Sequence, residues 1–454
     1  MSGRNEPRIR RRLPDLFLPV LLLLLGGGLA ALPGPVAAGV YYVSPAAPPG
    51  GDGSRDAPWR DLARVLTSGR VSGGDELRLL DGEYGFVKVG VARFSEPVLI
   101  APAPGARVHF DALHVVNASG LIFRGLKIWP RPGAKRQVRT LVRAYAGSSR
   151  IRFERLEVRG REDGRNYRQW RKEDWREARA GGILIQGPDS TVRDSTLYGV
   201  FHGVQASGAR ARLVNNRVFG FDGDGLRALG DFSLIRGNVV RDCVEVDTAQ
   251  HDDGFQSWSL GPDGRPDGGT VTGLVIENNI IEEWRGPREH PFICSLQGIF
   301  MKGYLDDLLV QNNVLSVSAW HGITAYGVKG GRILNNTLIN ARGPSGERPW
   351  IGLFGFQLRG ASEGRGPQLV TVANNLAHAV RTGADGGAGV TLLGNRVVSD
   401  TAALLVDPLN GDYRPRPGSG LIDAGDGRVA PRQDIIGTAR PLGARPDIGA
   451  YEIR

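Results

Sequence analysis

The sequence predicts an all-β solenoid, in which short strands wind into stacked coils and each strand runs parallel to its counterpart one coil away. Three observations predict it. A seven-residue form with Gly second and an apolar residue third recurs seven times between residues 181 and 357. A second form, apolar then Asn or another polar residue then apolar, alternates strictly with it. The 454-residue chain also holds 66 Gly while only 7% of its residues are aromatic, a composition for many tight turns rather than for a helical bundle.

The first set reads "GGILIQG" from Gly181, "HGVQASG" from His202, "DGLRALG" from Asp224, "DGFQSWS" from Asp253, "QGIFMKG" from Gln297, "HGITAYG" from His321 and "IGLFGFQ" from Ile351. The first three glycines, Gly182, Gly203 and Gly225, are 21 and 22 residues apart, and later spacings lengthen as loop insertions require. The second set includes "ARLVNNRVFGF", "LVIENNIIEEW" and "LLVQNNVLSVS". A short period-2 strand cannot bury its apolar face alone, and stacking coils about 4.8 Å apart solves that problem. Asn recurs at the corners, where left-handed backbone and side-chain amide ladders are useful.

Residues 1–38 read as a signal peptide. A basic "RNEPRIRRR" precedes the apolar "LFLPVLLLLLGGGLAAL", and "PVAA" offers small residues for cleavage after Ala38. The alternative is an uncleaved membrane anchor, the one membrane contact expected. The protein is therefore expected outside the cytoplasm, in a periplasm or the extracellular space. Removing that segment takes away five Arg and two acids, a net +3, and leaves +7 of the formal +10. A basic exported chain suits a polyanionic partner such as an acidic polysaccharide. Export and the lack of a matching motif argue against nucleic acid. Cys243 and Cys294 are either paired or two buried thiols, and their spacing fits no zinc motif.

With these motifs in hand the chain resembles a right-handed parallel β-helix protein of the pectate-lyase-like superfamily. "YYVSPAAPPGGDGSRDAPWRDLARVL" is similar to the opening segment of such proteins, with a capping helix near residues 59–68, and "NGDYRPRPGSGLIDAG" and "RPDIGAYE" to their closing segment. The resemblance implies one domain over 39–454, with an opening cap at 39–110, regular coils over about 111–400 and a closing segment at 401–454. A monomer is expected. The superfamily hosts lyases, glycosidases, epimerases and non-enzymes, so chemistry must come from the site.

Alternation sorts the side chains of the first set. Ile183, Val204, Leu226, Phe255, Ile299 and Ile323 point inward, as do Ile185, Ala206, Ala228, Ser257, Met301 and Ala325 two positions on. Three outward columns remain. The first reads Gly181, His202, Asp224, Asp253, Gln297, His321, Ile351. The second reads Leu184, Gln205, Arg227, Gln256, Phe300, Thr324, Phe354. The third reads Gln186, Ser207, Leu229, Trp258, Lys302, Tyr326, Phe356. Aromatics stack on sugar rings and amides and charges bond their polar groups, so this face is expected to form a groove able to hold a sugar chain, with His202, Gln205, Arg227, Gln256, Trp258, Gln297 and Tyr326 as binding candidates, although outward ladders also occur in purely structural β-helices. Two loops are expected to wall it, a charged helix at 161–180 with Trp170 and Trp175, and "WRGPREHPFICSLQ" at 284–297.

"FDGDGL" and "HDDGF" then gather Asp222, Asp224, Asp252 and Asp253 on adjacent coils. Such carboxylates repel unless a cation, a shared proton or a nearby Arg offsets them. Asp-rich corners also arise from turn preference alone. The resemblance to Ca²⁺-dependent polysaccharide lyases implies the four Asp as Ca²⁺ ligands and Lys302 as the base of a β-elimination on an acidic polysaccharide. Elimination is the leading mechanism expected. A polygalacturonase-like hydrolase would instead use Asp224, Asp252 and Asp253 as acid and base, assisted by His321, but the chain departs from that pattern in the extra coil carrying Lys302 and in having no Arg-Ile-Lys segment after His321. A C5-epimerase would add a second proton donor, His251, His202 or Tyr326. A non-catalytic carbohydrate-binding β-helix is the fourth reading. No phosphate loop, Ser-His-Asp elbow or zinc-type His-Glu helix is evident.

Overall fold

Parallel ladders dominate the computed structural model, which describes residues 38–133, 138–247, 251–343, 348–383 and 388–454. The signal segment lies outside these residues, apart from Ala38. Three parallel sheets of 14, 11 and 12 strands run the length of the molecule, and the chain visits them in turn. This is a parallel β-helix, with residues Ala38–Arg454 in one compact unit. No described helix is long and apolar enough to cross a membrane.

The 11-strand sheet carries the three outward columns. Its strands are β1 (Phe86–Val89), β2 (Ala112–Val115), β3 (Thr140–Ala144), β4 (Gly181–Ile185), β5 (Val204–Ala206), β6 (Leu226–Ala228), β7 (Asp253–Trp258), β8 (Gln297–Lys302), β9 (His321–Tyr326), β10 (Trp350–Phe354) and β11 (Val380–Thr382). Every inward residue named above is buried to within 1% exposure. The motif glycine has a steric reason. A Cβ on Gly182 would meet Leu197, and one on Gly225 would meet Val240, each an inward residue of the 12-strand sheet in the same coil. Only Gly lets the two sheets approach so closely where the chain turns into the groove sheet.

The Asn pairs divide their labour. The first of each pair adopts the left-handed region, with φ of 56° at Asn215, 58° at Asn278 and 54° at Asn312. The second joins a buried ladder. Asn216, Asn238, Asn279, Asn313, Asn336, Asn375 and Asn395 follow one another coil by coil, each accepting at Oδ1 from the residue before it.

The last of the seven motif coils, that of β10, departs from the expected register. His321 pairs with Trp350, a bulge follows, and Thr324 and Tyr326 oppose Gly352 and Phe354. Ile351 and Leu353 are fully buried, so Trp350, Gly352 and Phe354 take the outward columns in place of Ile351, Phe354 and Phe356. The "IGL" glycine is not the corner glycine of the other six coils. Its Cβ position is filled by the Phe354 ring.

The capping helix α1 (Leu62–Thr67) starts at Asp61, whose side chain accepts from Arg64 N–H at 3.0 Å. The 161–180 segment forms a 3₁₀ turn (Gly164–Gln169) and α2 (Lys172–Glu177). It does not wall the groove with its tryptophans. Tyr167, Trp170 and Trp175 pack on the outside of the 12-strand sheet, over Phe219, Val244 and Val246. Gly199 and Gly220 make room for the Trp170 and Tyr167 rings. The closing segment covers the same sheet further on, burying Leu405, Tyr413, Leu421 and Ile448 against Val314, Ile339 and Leu376.

Candidate active site

The four acids gather where β6 and β7 begin. Asp253 opens β7 and is fully buried, Asp224 and Asp252 are 2% exposed, and Asp222 is 9% exposed. Asp253 N–H donates to Asp224 Oδ1 at 3.3 Å. Arg227, three residues beyond Asp224, forms an ion pair with its carboxylate. The Arg227 guanidinium also donates to Gln205 Oε1 at 3.2 Å and Gln256 Oε1 at 3.3 Å, and Gln256 Nε2 donates to Asp253 Oδ2 at 2.8 Å. The guanidinium carbon lies 4.6 Å from the centre of the Trp258 ring. His202 accepts the Asp224 N–H at Nδ1, 3.0 Å away. Thus Gln205, Arg227, Gln256, Trp258, His202, Asp224 and Asp253 form one network across three coils.

Cys243 and Cys294 are joined in a disulfide. A carboxylate oxygen of Asp252 lies within 4.8 Å of both sulfurs. The disulfide pins the corner loops of two successive coils and gives Asp252 an apolar neighbour. Asp222 Oδ1 accepts from Val246 N–H at 3.3 Å.

Burial sets the protonation of this group. Loss of water pushes Asp252 up to about 8, helped by the charges of Asp222, Glu245 and Asp224. Burial likewise pushes Asp222 up to about 6, against the Val246 N–H. Asp253 is held well above the carboxylate range by burial, then by Asp224 and Asp252. Asp224 is raised by burial and pulled back by the charge and hydrogen bond of Arg227, which favour its ionised form. His202 falls to about 3 through burial and the Arg227 charge, so it is a neutral imidazole here. Buried oxygens of Asp252, Asp253 and Gln297 and the Arg227 Nε have no hydrogen-bond partner among the described residues. Unpaired buried polar atoms are rare in folded proteins and mark a place where a ligand or water completes the set.

Three oxygens of the four Asp do not come together as Ca²⁺ needs. Among the described residues the one set of three ligand atoms within 4.8 Å is Cys243, Asp252 and Cys294, and the disulfide removes both sulfurs from coordination. Arg227 meanwhile holds Asp224. In this arrangement the acids suit a shared proton and an arginine partner better than a cation with six to eight oxygen ligands.

The other candidates form a second group one and two coils on. His251 Nδ1 is 3.2 Å from Gln297 Nε2. His321 Nδ1 is 2.9 Å from Thr324 Oγ1, between the rings of Phe300 and Trp350, and burial followed by His251 lowers its pKa. Lys302 pairs in register with Trp258 but donates to Asp267 Oδ2 at 3.0 Å, away from the acids. Tyr326 is half-buried beside it, and burial raises its pKa.

Sequence reasoning missed Glu245 and Asp267, which sit in irregular loops with no repeat to align them. It also missed that the second outward column continues toward the N-terminus through Arg143, His114 and Lys88. Strands β1 to β3 read "FVKV", "ALHV" and "TLVRA" and lack the Gly-second form. The loop at 284–297 contributes Trp284, Arg285, Arg288 and His290 to a separate cleft of about 580 Å³ that shares no residue with the acids. Arg285 there turns to Glu282 and to Tyr413 of the closing segment.

No family model and no curated protein matches the chain. Solved structures do. A rhamnogalacturonan lyase aligns at 14% identity over 80% of this chain and 87% of its own, with a TM-score of 0.47. Pectate lyase Pel9A aligns at 16% identity over 92% and 96%, with a TM-score of 0.41. The Dettilon tailspike protein aligns at 15% identity over 78% and 65%, with a TM-score of 0.45.

Proposed function

We propose that this protein is an exported carbohydrate-active enzyme that acts on an acidic polysaccharide lying along the groove sheet. The observation that carries the reading is the buried acid set on adjacent coils, with partnerless oxygens on Asp252 and Asp253 and an arginine held against Asp224. Aromatic and amide side chains flank it, as sugar recognition requires.

The reaction this arrangement supports best is acid–base cleavage of a glycosidic bond. A protonated Asp253 gives its proton to the leaving oxygen as the bond from C1 breaks. Ionised Asp224 takes a proton from the water whose oxygen bonds to C1. Arg227 keeps Asp224 charged, and Gln256 orients Asp253.

β-Elimination is the second reading, favoured by Lys302, which stands beside Trp258 on the groove with its side chain 44% exposed. It needs Lys302 released from Asp267, and a Ca²⁺ on the acids would need Asp224 released from Arg227. The chemistry a bound Ca²⁺ would supply is neutralisation of the uronate carboxylate.

The purified protein would be incubated with polygalacturonate, alginate and other acidic polysaccharides, with Ca²⁺ and with chelator. New reducing ends without ultraviolet-absorbing unsaturated uronates are the expected product, lost in Asp253→Asn and kept in Lys302→Ala. Unsaturated products that chelator or Lys302→Ala abolishes would replace hydrolysis with elimination. Binding without any product would leave a carbohydrate-binding protein.

A further inference from the structure

The outward face of the groove sheet uses the same three components twice. At the acid set, Arg227 lies over the Trp258 ring and bonds the amide of Gln205. On β3, Arg143 lies 4.0 Å from the centre of the Tyr145 ring and donates from Nε to Gln186 Oε1 at 2.8 Å. The two arginines share one column. Arg143 pairs with Leu184, Leu184 with Gln205, and Gln205 with Arg227. Three strand steps separate them, about 14 Å at the usual strand spacing.

The two sites differ in charge. Arg227 is neutralised by Asp224. Arg143 forms no ion pair with any described carboxylate. Its column continues through His114 to Lys88, which is exposed and likewise has no acidic partner among the described residues. Tyr145 and Gln186 hold the guanidinium plane, so little side-chain freedom remains to be lost when a ligand arrives. A planar guanidinium fixed in this way, without a carboxylate of its own, is a prepared receptor for a carboxylate or sulfate.

We propose that Arg143, supported by Tyr145 and Gln186 and assisted by Lys88, forms a second subsite that binds an anionic group of the polysaccharide three coils from the acid set. The inference rests on the reading of the groove sheet as a polysaccharide site and narrows its substrate. The chain bound would be several sugars long and would carry repeated negative charge.

The test is binding, independent of turnover. Affinity would be measured by calorimetry for Arg143→Ala, Arg143→Lys and a control, Arg212→Ala, which removes an exposed arginine from the 14-strand sheet. The probes are polygalacturonate for carboxylate, dextran sulfate for sulfate, and neutral dextran. Thermal unfolding would check that each variant folds. Arg143→Ala is expected to lose about tenfold in affinity for one or both anionic probes, the scale of a hydrogen bond to a charged group. Arg143→Lys should restore part of it, with Arg212→Ala unchanged. The anionic probe affected identifies the group recognised. Equal affinity of wild type and Arg143→Ala for both anionic probes, or an equal loss in Arg212→Ala, would overturn the subsite and leave the groove reading standing. Wild-type binding of neutral dextran alone would do the same. Failure of wild type to bind any polysaccharide would remove the groove reading and the subsite together.

Discussion

Replacing Asp252 by Asn keeps the shape of the neutral carboxyl and removes its proton. Burial and neighbouring acids raise the folded-state pKa of Asp252 to about 8, against an unperturbed 3.8. The folded state therefore holds this proton more tightly than the unfolded chain does. Stability from this group is fully present below pH 3.8 and is lost as pH rises toward 8. At about 1.4 kcal/mol per unit, the loss between pH 5 and pH 8 is about 4 kcal/mol. With an unfolding entropy of about 2.1 cal/mol/K per residue over roughly 400 residues, that is about 5 °C in Tm. Scanning calorimetry at one fixed rate, at pH 5 and pH 8, would compare wild type with Asp252→Asn. Wild type should lose about 5 °C more than the variant over that interval. Asp222→Asn should recover less, about 1.5 kcal/mol, because its pKa of about 6 confines its titration to the lower part of the window. Parallel slopes in wild type and Asp252→Asn would refute the buried-proton account of the acid set.

Asn279 sits mid-ladder, accepting from Asn238 N and Nδ2 and donating to Asn313 Oδ1 and Ile235 O. Asn279→Ala should cost about 3 kcal/mol, because several buried groups lose their partner at once, and denaturant melts would read it. The Cys243–Cys294 bond closes a loop with a sequence separation of 51, so a Cys243→Ser, Cys294→Ser double variant should lose about 2–4 kcal/mol. Its activity should fall as well if the disulfide is what holds Asp252 in place. Full activity with a lowered Tm would limit the bond to a structural role.

Coil architecture was legible because it repeats. The inward columns, the glycine corners and the Asn pairs each recur at coil spacing, and the structure buries or bends them as that spacing requires. The exception is the coil of β10, where "IGL" imitates the corner motif while Ile351 and Leu353 take the interior. The gathering of Asp222, Asp224, Asp252 and Asp253 was also legible, since register alone brings them together. What they bond to was not. Arg227 reaches Asp224 and Lys302 reaches Asp267 through side-chain rotamers and loop paths, which no period encodes. The tryptophans of 161–180 were equally ambiguous. A charged amphipathic segment shows that it covers something, and only the glycines at 199 and 220 mark the outside of the 12-strand sheet as the surface covered.

The asparagine ladder gives the solenoid a grain. Each rung points the same way: Asn216 N and Nδ2 donate to Asn238 Oδ1, and Asn238 repeats this toward Asn279. The donors of any one coil thus wait for an acceptor that lies later in the chain. A protein made from its N-terminus meets this need in order, because each arriving coil satisfies the one already wound. Truncation after any of these coils would leave the final rung with two buried donors and no acceptor. Whole coils can be added or removed between rungs with the grain preserved, so the length of the solenoid is free to vary while the means of winding it stays fixed.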